Sequence, residues 1–345
     1  MPAVFMPAHC SPCPVRRLTA SLTAALALSA GGLAAQPAAT PAAKAPEAPT
    51  ETAPKRLTLE TTDGVELAAW FYPVPEAAES LATVILLHDL GGSHRSVEPL
   101  AKALQSAGCA VVAPDLRGHG ESRLKKIPQE HEDQSRLLKK PDFEMMVATR
   151  GGQLRDQSGV RGDVECVRNW IKKQAEDGTI RMKPLVVVGS GLGAALGTAW
   201  TVADALWPDI ATGPQGHEVS GIVMVSPTFT TKGYSIGPAL ATDPVRRTVP
   251  LLVIGGTDDR DAVKIFEQLK RQRPREWFDG RFPKVGEKDS SPVAAAEASL
   301  MLLTPPLATS GDQLASHRSP DAKARSSDPS ALIVGFLRFV AKGAK

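Results

Sequence analysis

The sequence predicts an α/β protein of three layers, with a mostly parallel central sheet and an antiparallel hairpin at its amino-terminal end. Short continuous apolar runs, which suit strands buried on both faces, alternate along the chain with segments of helical periodicity. Ahead of them, two runs of alternating polarity flank the dipeptide Asp63-Gly64, which favours a tight hairpin turn.

The elements follow one another in a regular order. The hairpin spans residues 56–73, and buried strands are predicted at 83–88, 110–114, 185–188, 219–225, 249–254 and 299–303. Helices are predicted at 97–107, 162–175, from the end of the 185–188 strand to about 205, at 261–271 and at 328–341. Two stretches interrupt the pattern, a polar insertion at 123–157 and a mixed loop at 272–292. Strands that alternate with helices in this way predict parallel pairing.

The first 55 residues have the composition of an export leader and a tether. Arg16 and Arg17 precede an apolar stretch of small residues, so residues 1–35 are predicted to be a signal peptide, either cleaved or retained as an anchor. Residues 36–55 contain 7 Ala and 5 Pro and predict a disordered linker. The folded domain is predicted over 56–343, in an exported protein that is periplasmic, secreted or associated with the cell envelope.

Composition and charge limit the classes of partner that the sequence predicts. The hydrophobic fraction of 42% and the charged fraction of 22% are typical of a globular domain. The formal net charge of +3 falls towards neutrality without the leader arginines, so no nucleic-acid partner is predicted. Beyond the leader, no integral membrane domain is predicted. The cysteine spacing does not match a zinc site. The spacing of Asp258, Asp259 and Asp261 does not match a calcium-binding loop. We therefore predict no metal and no cofactor.

Three segments carry a specific resemblance. They are ILLHDLGGS at 85–93, VAPDLRGHGES at 112–122 and VVVGSGLGA at 186–194. The first is similar to a strand followed by His-Gly-x-Gly-Gly, and the second is close to Asp-x-Arg-Gly-x-Gly-x-Ser. The third stands where a nucleophile elbow would follow. In this order they resemble the α/β-hydrolase family, in particular its lysophospholipase-like and serine-aminopeptidase-like members. The resemblance covers about residues 56–343 and implies the α/β-hydrolase fold.

The resemblance places a glycine at the nucleophile position. In the family a serine stands at the tip of a sharp turn, and the residues two before and two after it must be small. Gly189 and Gly193 fit those flanking positions, which puts Gly191 at the apex and Ser190 one residue early. If Ser190 were the nucleophile, the flanks would be Val188 and the bulky leucine at 192. The elbow is therefore predicted to keep its shape and to lack its hydroxyl.

The other two triad positions are mixed. Asp259 aligns best with the family's acid and Asp258 second, although Asp259 equally suits the cap of the helix that follows. The family's histidine is expected at the position of Ser310. His317, the only histidine after Asp259 in the sequence, is either a displaced base or a surface residue.

The positions expected to form the oxyanion hole match the family's pattern more closely than the triad positions do. The backbone N–H groups of Leu90 and Leu192 match the family's donors, which do not depend on the side chain. Asp89 replaces the family's usual glycine after His88, and a carboxylate beside an oxyanion is unfavourable.

Three functions remain open from the sequence. The first is a catalytically impaired relative that binds a small-molecule or peptide ligand, with no protein partner specified. The second is an active serine hydrolase of esterase or peptidase type, with a rearranged site of Ser190, Asp259 and His317. The third is an NAD(P)-binding oxidoreductase, because residues 189–194 also fit Gly-x-Gly-x-x-Ala. That motif, however, follows other strands here, and the next strand, ending at Ser226, has no terminal acidic residue.

Overall fold

A computed structural model describes residues 53–76, 78–126, 131–133, 138–148, 161–208, 215–281 and 291–343. For residues 125–126 and 131–133 it describes the backbone alone. The predicted signal peptide at 1–35 and residues 36–52 of the predicted linker lie outside the described residues.

The strands of the described residues build a nine-stranded sheet and two small two-stranded sheets. The bounds are β1 (Lys55–Glu60), β2 (Glu66–Tyr72), β3 (Ala82–Leu87), β4 (Cys109–Pro114), β5 (Leu124–Lys126), β6 (His131–Asp133), β7 (Leu185–Ser190), β8 (Val219–Val225), β9 (Thr230–Thr231), β10 (Tyr234–Ser235), β11 (Leu251–Ile254), β12 (Trp277–Gly280) and β13 (Leu300–Leu303). The large sheet has the order β1-β2-β4-β3-β7-β8-β11-β13-β12. Within this sheet β1 and β2 pair antiparallel, as do β2 and β4, and the other pairs of the sheet are parallel. The predicted fold class, with its antiparallel hairpin, is confirmed.

Helices cover both faces of the sheet. They are α1 (His94–Ser106), α2 (Lys140–Met146), α3 (Asp163–Glu176), α4 (Leu192–Ala205), α5 (Gly237–Leu240), α6 (Arg260–Lys270), α7 (Gly311–Ala315) and α8 (Pro329–Gly343), with a π-helical turn at Pro244–Thr248 and a 3₁₀ turn at Ala324–Ser327. Within the described part of the chain, no helix has both the length and the apolar character needed to span a bilayer.

The core consists of two apolar clusters separated by the sheet. Successive side chains of a strand point to opposite faces, so β7 contributes Val187 to one cluster and both Val186 and Val188 to the other. α3, α4 and α6 cover the first face, and α1 and α8 cover the second. This double burial explains why the central strands consist of continuous apolar runs.

The prediction of a loop throughout 272–292 is wrong at one place. Trp277–Gly280 forms β12, which pairs in parallel with β13 at the edge of the sheet. Trp277 is the buried residue of this strand, and the three that follow are half-buried. A short strand with one edge unpaired lacks the continuous apolar run on which the prediction relied.

The Asp-x-Arg-Gly segment after β4 is a buried polar network. Arg117 donates through Nε to Asp163 Oδ1 at 2.8 Å and through Nη1 to Asp63 Oδ2 at 2.8 Å. Asp115 accepts the backbone N–H of His94 at 2.6 Å, at the start of α1. These bonds tie the hairpin turn, α3 and α1 together, and they fix the loop that precedes α1.

Candidate active site

The turn between β7 and α4 has the geometry of a tight elbow. Gly191 stands between the last strand residue and the first helical residue, with φ 49° and ψ −114°, a conformation that side chains disfavour. A Cβ on Gly189 would overlap the backbone of Gly193. A Cβ on Gly193 would in turn overlap the carbonyl oxygens of Leu87 and His88. The turn therefore requires glycine at each of these three positions.

The carboxylate of Asp89 fills the space beside this elbow. Its Oδ1 accepts the backbone N–H of Leu90 at 2.7 Å and that of Leu192 at 2.7 Å, the two donors predicted to form the oxyanion hole. A side chain on Gly191 would overlap the Asp89 carboxylate, and a Cβ on Gly311 would lie 2.6 Å from its Oδ2. The carboxylate that the sequence analysis marked as unfavourable thus accepts both of the N–H groups that were predicted to form the oxyanion hole.

Burial is the main influence on the pKa of the Asp89 carboxyl group. Desolvation raises the pKa of its carboxyl group above the ordinary value, and the nearby charge of Asp312 raises it further. The two backbone N–H groups act in the opposite direction because they stabilise the ionised form.

Ser190, which precedes the elbow apex, is buried and hydrogen-bonded. It is 2% exposed, and its hydroxyl donates to Oδ1 of Asp312. The same Oδ1 accepts the backbone N–H of Asp89 at 2.8 Å, and the hydroxyl of Ser96 donates to Asp312 Oδ2. Ser190 is thus part of a buried network with a carboxylate, and no described hydrogen bond links it to an imidazole.

Asp259 and Ser310 both lie at helix starts. Asp259 caps α6, since its Oδ1 accepts the backbone N–H of Ala262 at 2.9 Å. Ser310 stands immediately before α7 and makes no side-chain capping hydrogen bond. Together with Asp89 and Gly311 they line a cavity of about 440 Å³.

His317 lies elsewhere. It follows α7, and its backbone N–H donates to Leu314 O at 3.1 Å. His317 lines a separate cavity, together with Arg95 and Glu98. The structure therefore brings Asp259 and Ser310 to one cavity and does not bring His317 to it.

His88, which directly precedes Asp89, is fully buried. Its Nε2 accepts the backbone N–H of Leu116 at 3.0 Å, so its Nδ1 is the nitrogen that donates to Asp89 O at 2.7 Å. Burial lowers the pKa of the imidazole, and the neighbouring His119 lowers it further. Both nitrogens of this neutral ring are engaged by the backbone, so it holds the loop in place.

Three residues of the site were missed by the sequence analysis. Asp312, on α7, is hydrogen-bonded to a serine 122 residues away, a contact that no local pattern indicates. Ser226, at the end of β8, is 5% exposed with φ 42°, and its Oγ has no hydrogen-bond partner among the described residues. Thr309 lines the same cavity and likewise has an unpartnered Oγ1. In the described residues, no three His, Cys, Asp or Glu side chains are placed to hold a metal ion.

Comparison with known proteins identifies the family. Residues 84–336 match the model of the alpha/beta hydrolase family, and the chain belongs to that family. No curated protein matches the chain in sequence.

Solved structures show the same fold at low sequence identity. A sugar hydrolase from Lactococcus lactis is 12% identical, over 84% of this chain and 100% of that one, with a TM-score of 0.52. A bacterial brefeldin A esterase is 14% identical, over 88% of this chain and 81% of that one, with a TM-score of 0.51. An esterase from Rhizomucor miehei is 13% identical, over 87% and 86%, with a TM-score of 0.50. At these identities the similarity extends to the fold alone.

Proposed function

We propose that this α/β-hydrolase family member performs no serine-hydrolase chemistry and acts by binding a small-molecule or peptide ligand in the cleft at the carboxyl ends of its strands. The observation that carries the proposal is the position of Asp89 Oδ1, 2.7 Å from the backbone nitrogens of both Leu90 and Leu192.

Acyl transfer needs those two donors free. In a serine hydrolase they stabilise the negative oxygen that develops on the substrate carbonyl, and removing even one donor costs about 10²–10³ in kcat. Here a carboxylate oxygen already accepts both N–H groups, and its negative charge would repel a second anionic oxygen. The elbow apex, Gly191, supplies no nucleophile, and Ser310 supplies no base.

The alternative that uses Ser190, Asp259 and His317 has weaker support. A nucleophilic serine must reach the substrate and pass its proton to a base within hydrogen-bond range. Ser190 is 2% exposed and donates to Asp312, and Asp259 is engaged as a helix cap. His317 lines a different cavity.

The NAD(P) alternative meets an electrostatic obstacle. Dinucleotide-binding proteins place a pyrophosphate at the start of the helix after the glycine-rich turn. At the corresponding place, the N–H of Leu192 at the start of α4 is bonded to the Asp89 carboxylate. A pyrophosphate would have to displace this anion, which favours the binding role without a dinucleotide.

We also propose that the domain works outside the cytoplasm, tethered or released through the leader at 1–35 and the linker at 36–55. Intact mass of the protein recovered from cell fractions tests this. A mature species in the exported fraction that begins close to residue 36 supports cleavage and export, and full-length protein confined to the cytoplasm would contradict them.

Labelling with a fluorophosphonate probe tests the absence of serine-hydrolase chemistry. We expect the purified full chain to gain no covalent adduct by intact mass, under conditions in which an active esterase is fully labelled. The Ser190→Ala variant is the matched control. An adduct on the natural protein that disappears in this variant would overturn the proposal.

A further inference from the structure

The cleft that contains Asp89 is acidic. Among the described residues, its cavity of about 440 Å³ is lined by four aspartates, Asp89, Asp258, Asp259 and Asp261, and by one cation, Arg260. Asp258 and Arg260 are exposed, and the other three carboxylates are half-buried. A cleft with this excess of carboxylates attracts cations and repels anions.

Three of these carboxylates have one oxygen engaged and one free of described hydrogen bonds. Asp89 uses Oδ1 for its two backbone donors, Asp259 uses Oδ1 for Ala262 N, and Asp261 uses Oδ2 for Phe229 N at 2.8 Å. The engaged oxygens fix the carboxylates in place. The second oxygens remain available as acceptors. Because these carboxylates are already held in place, a ligand that binds them need not pay the entropic cost of ordering their side chains.

A buried hydroxyl provides an independent sign of a ligand. Ser226 lines this cavity and is 5% exposed, yet its Oγ has no hydrogen-bond partner among the described residues. Thr309 lines the same cavity and adds a second hydroxyl oxygen that has no hydrogen-bond partner among the described residues. Buried polar groups are rarely left unsatisfied, and a cluster of them in a cavity points to a missing partner.

The arrangement of the acids argues against a metal ion as that partner. A calcium ion needs six to eight oxygens that converge on one point. Within the described residues no three acidic, histidine or cysteine side chains converge in this way. Acceptors that do not converge on one point suit an ammonium or guanidinium group, whose N–H donors point in several directions.

We propose that the cleft binds a small organic cation, a primary ammonium or guanidinium compound, whose N–H groups are accepted by Asp89 Oδ2, Ser226 Oγ and the aspartates at the start of α6. This inference rests on the proposed binding function of the same cleft and specifies the chemical class of its ligand.

Three probes of nearly equal size and different charge test it. Benzylammonium, benzyl alcohol and benzoate are titrated separately into the full chain at neutral pH, and the backbone amide resonances of Ser226 and Thr309 are followed by NMR. We expect benzylammonium to bind with a Kd at least tenfold lower than that of benzyl alcohol, and benzoate to bind more weakly than either.

Two variants connect this binding to the cleft. Asp258→Asn removes an exposed charge that makes no described hydrogen bond, and we expect it to raise the Kd of benzylammonium at least threefold. Ser226→Ala removes an unpartnered hydroxyl, so we expect weaker binding with an unchanged or higher Tm. The control is Asp177→Asn, an equal charge change at the exposed end of α3, which should leave the Kd unaltered.

Several results would overturn the inference. They are no measurable binding of benzylammonium, equal binding of benzyl alcohol, or natural affinity in Ser226→Ala together with Asp258→Asn. None of these depends on covalent labelling at Ser190, which decides the proposed function separately.

Discussion

The carboxylate of Asp89 lies in the volume that a side chain on Gly191 would occupy. The two residues are linked in space although they are 102 positions apart in the sequence. The Asp89 carboxylate, bonded to the N–H groups of Leu90 and Leu192, and the absence of a side chain at Gly191 are therefore one combined feature, because a serine at position 191 would overlap that carboxylate.

This relationship predicts strong coupling between the two positions. Gly191→Ser alone should reduce the free energy of unfolding by more than the 1–3 kcal/mol or so expected of a disfavoured backbone conformation, because the new side chain also displaces a carboxylate. In an Asp89→Gly background the same change should cost at least about 1 kcal/mol less. Urea denaturation of the two single variants and the double variant measures this difference.

Additive effects, within about 0.5 kcal/mol, would mean that the two side chains do not compete for the same space. The double variant restores the family's pattern at both positions, yet it still has Ser310 where a base is expected. We therefore expect it to fold better than Gly191→Ser and to remain inactive towards p-nitrophenyl esters.

Arg117 should contribute far more to stability than an exposed arginine. Its side chain and that of Asp163 are 4% and 0% exposed, so Arg117→Met leaves a buried carboxylate without its partner. We expect a loss of about 3–5 kcal/mol in the free energy of unfolding. Arg56→Met, which removes an exposed pair with Glu121, is the control and should cost about 1 kcal/mol or less. Equal losses from the two substitutions would contradict the network.

Glu165 should make stability depend on pH. It is 1% exposed, accepts Trp200 Nε1 at 3.0 Å, and burial raises its pKa to about 7. Because this pKa is higher in the folded protein than in the unfolded chain, its favourable contribution is complete below about pH 4 and is lost as the pH rises through 7. Relative to Glu165→Gln, the natural protein should lose on the order of 2–3 kcal/mol of unfolding free energy between pH 4 and pH 8.

The control for this titration is Glu176→Gln, an exposed glutamate of the same helix, α3. The loss of stability between pH 4 and pH 8 that is assigned to Glu165 should persist in this variant. A profile that is the same in the natural protein and in Glu165→Gln would show that this carboxyl group does not titrate in the expected range.

The fold could be predicted from sequence because its central strands have no polar face. The apolar runs of β3 and β7 are buried by helices on both sides, and a continuous apolar run in the sequence predicts such double burial. β12 could not be predicted in the same way, since an edge strand keeps half-buried positions. Local patterns fail where exposure varies along one short strand.

The site was less accessible to sequence reasoning. The glycine frame around residue 191 follows from the requirement for close approach, which a sequence displays, but the catalytic meaning of that frame stays a prediction. The hydrogen bond from Leu192 N to Asp89 spans 103 residues and depends on how two loops meet at the carboxyl ends of the neighbouring strands β3 and β7. Sequence analysis found Asp89 out of place; the contact that accommodates it belongs to the tertiary structure.

The most direct test of the account follows the backbone amide resonances of Leu90 and Leu192 by NMR as the pH is lowered. If Asp89 occupies the oxyanion hole, the two resonances should shift together with one midpoint above the ordinary aspartate pKa of about 3.9. The shift should disappear in Asp89→Asn, which offers an acceptor oxygen that does not titrate. Amides that do not respond to pH, or that respond equally in Asp89→Asn, would contradict the placement of this carboxylate and the function inferred from it.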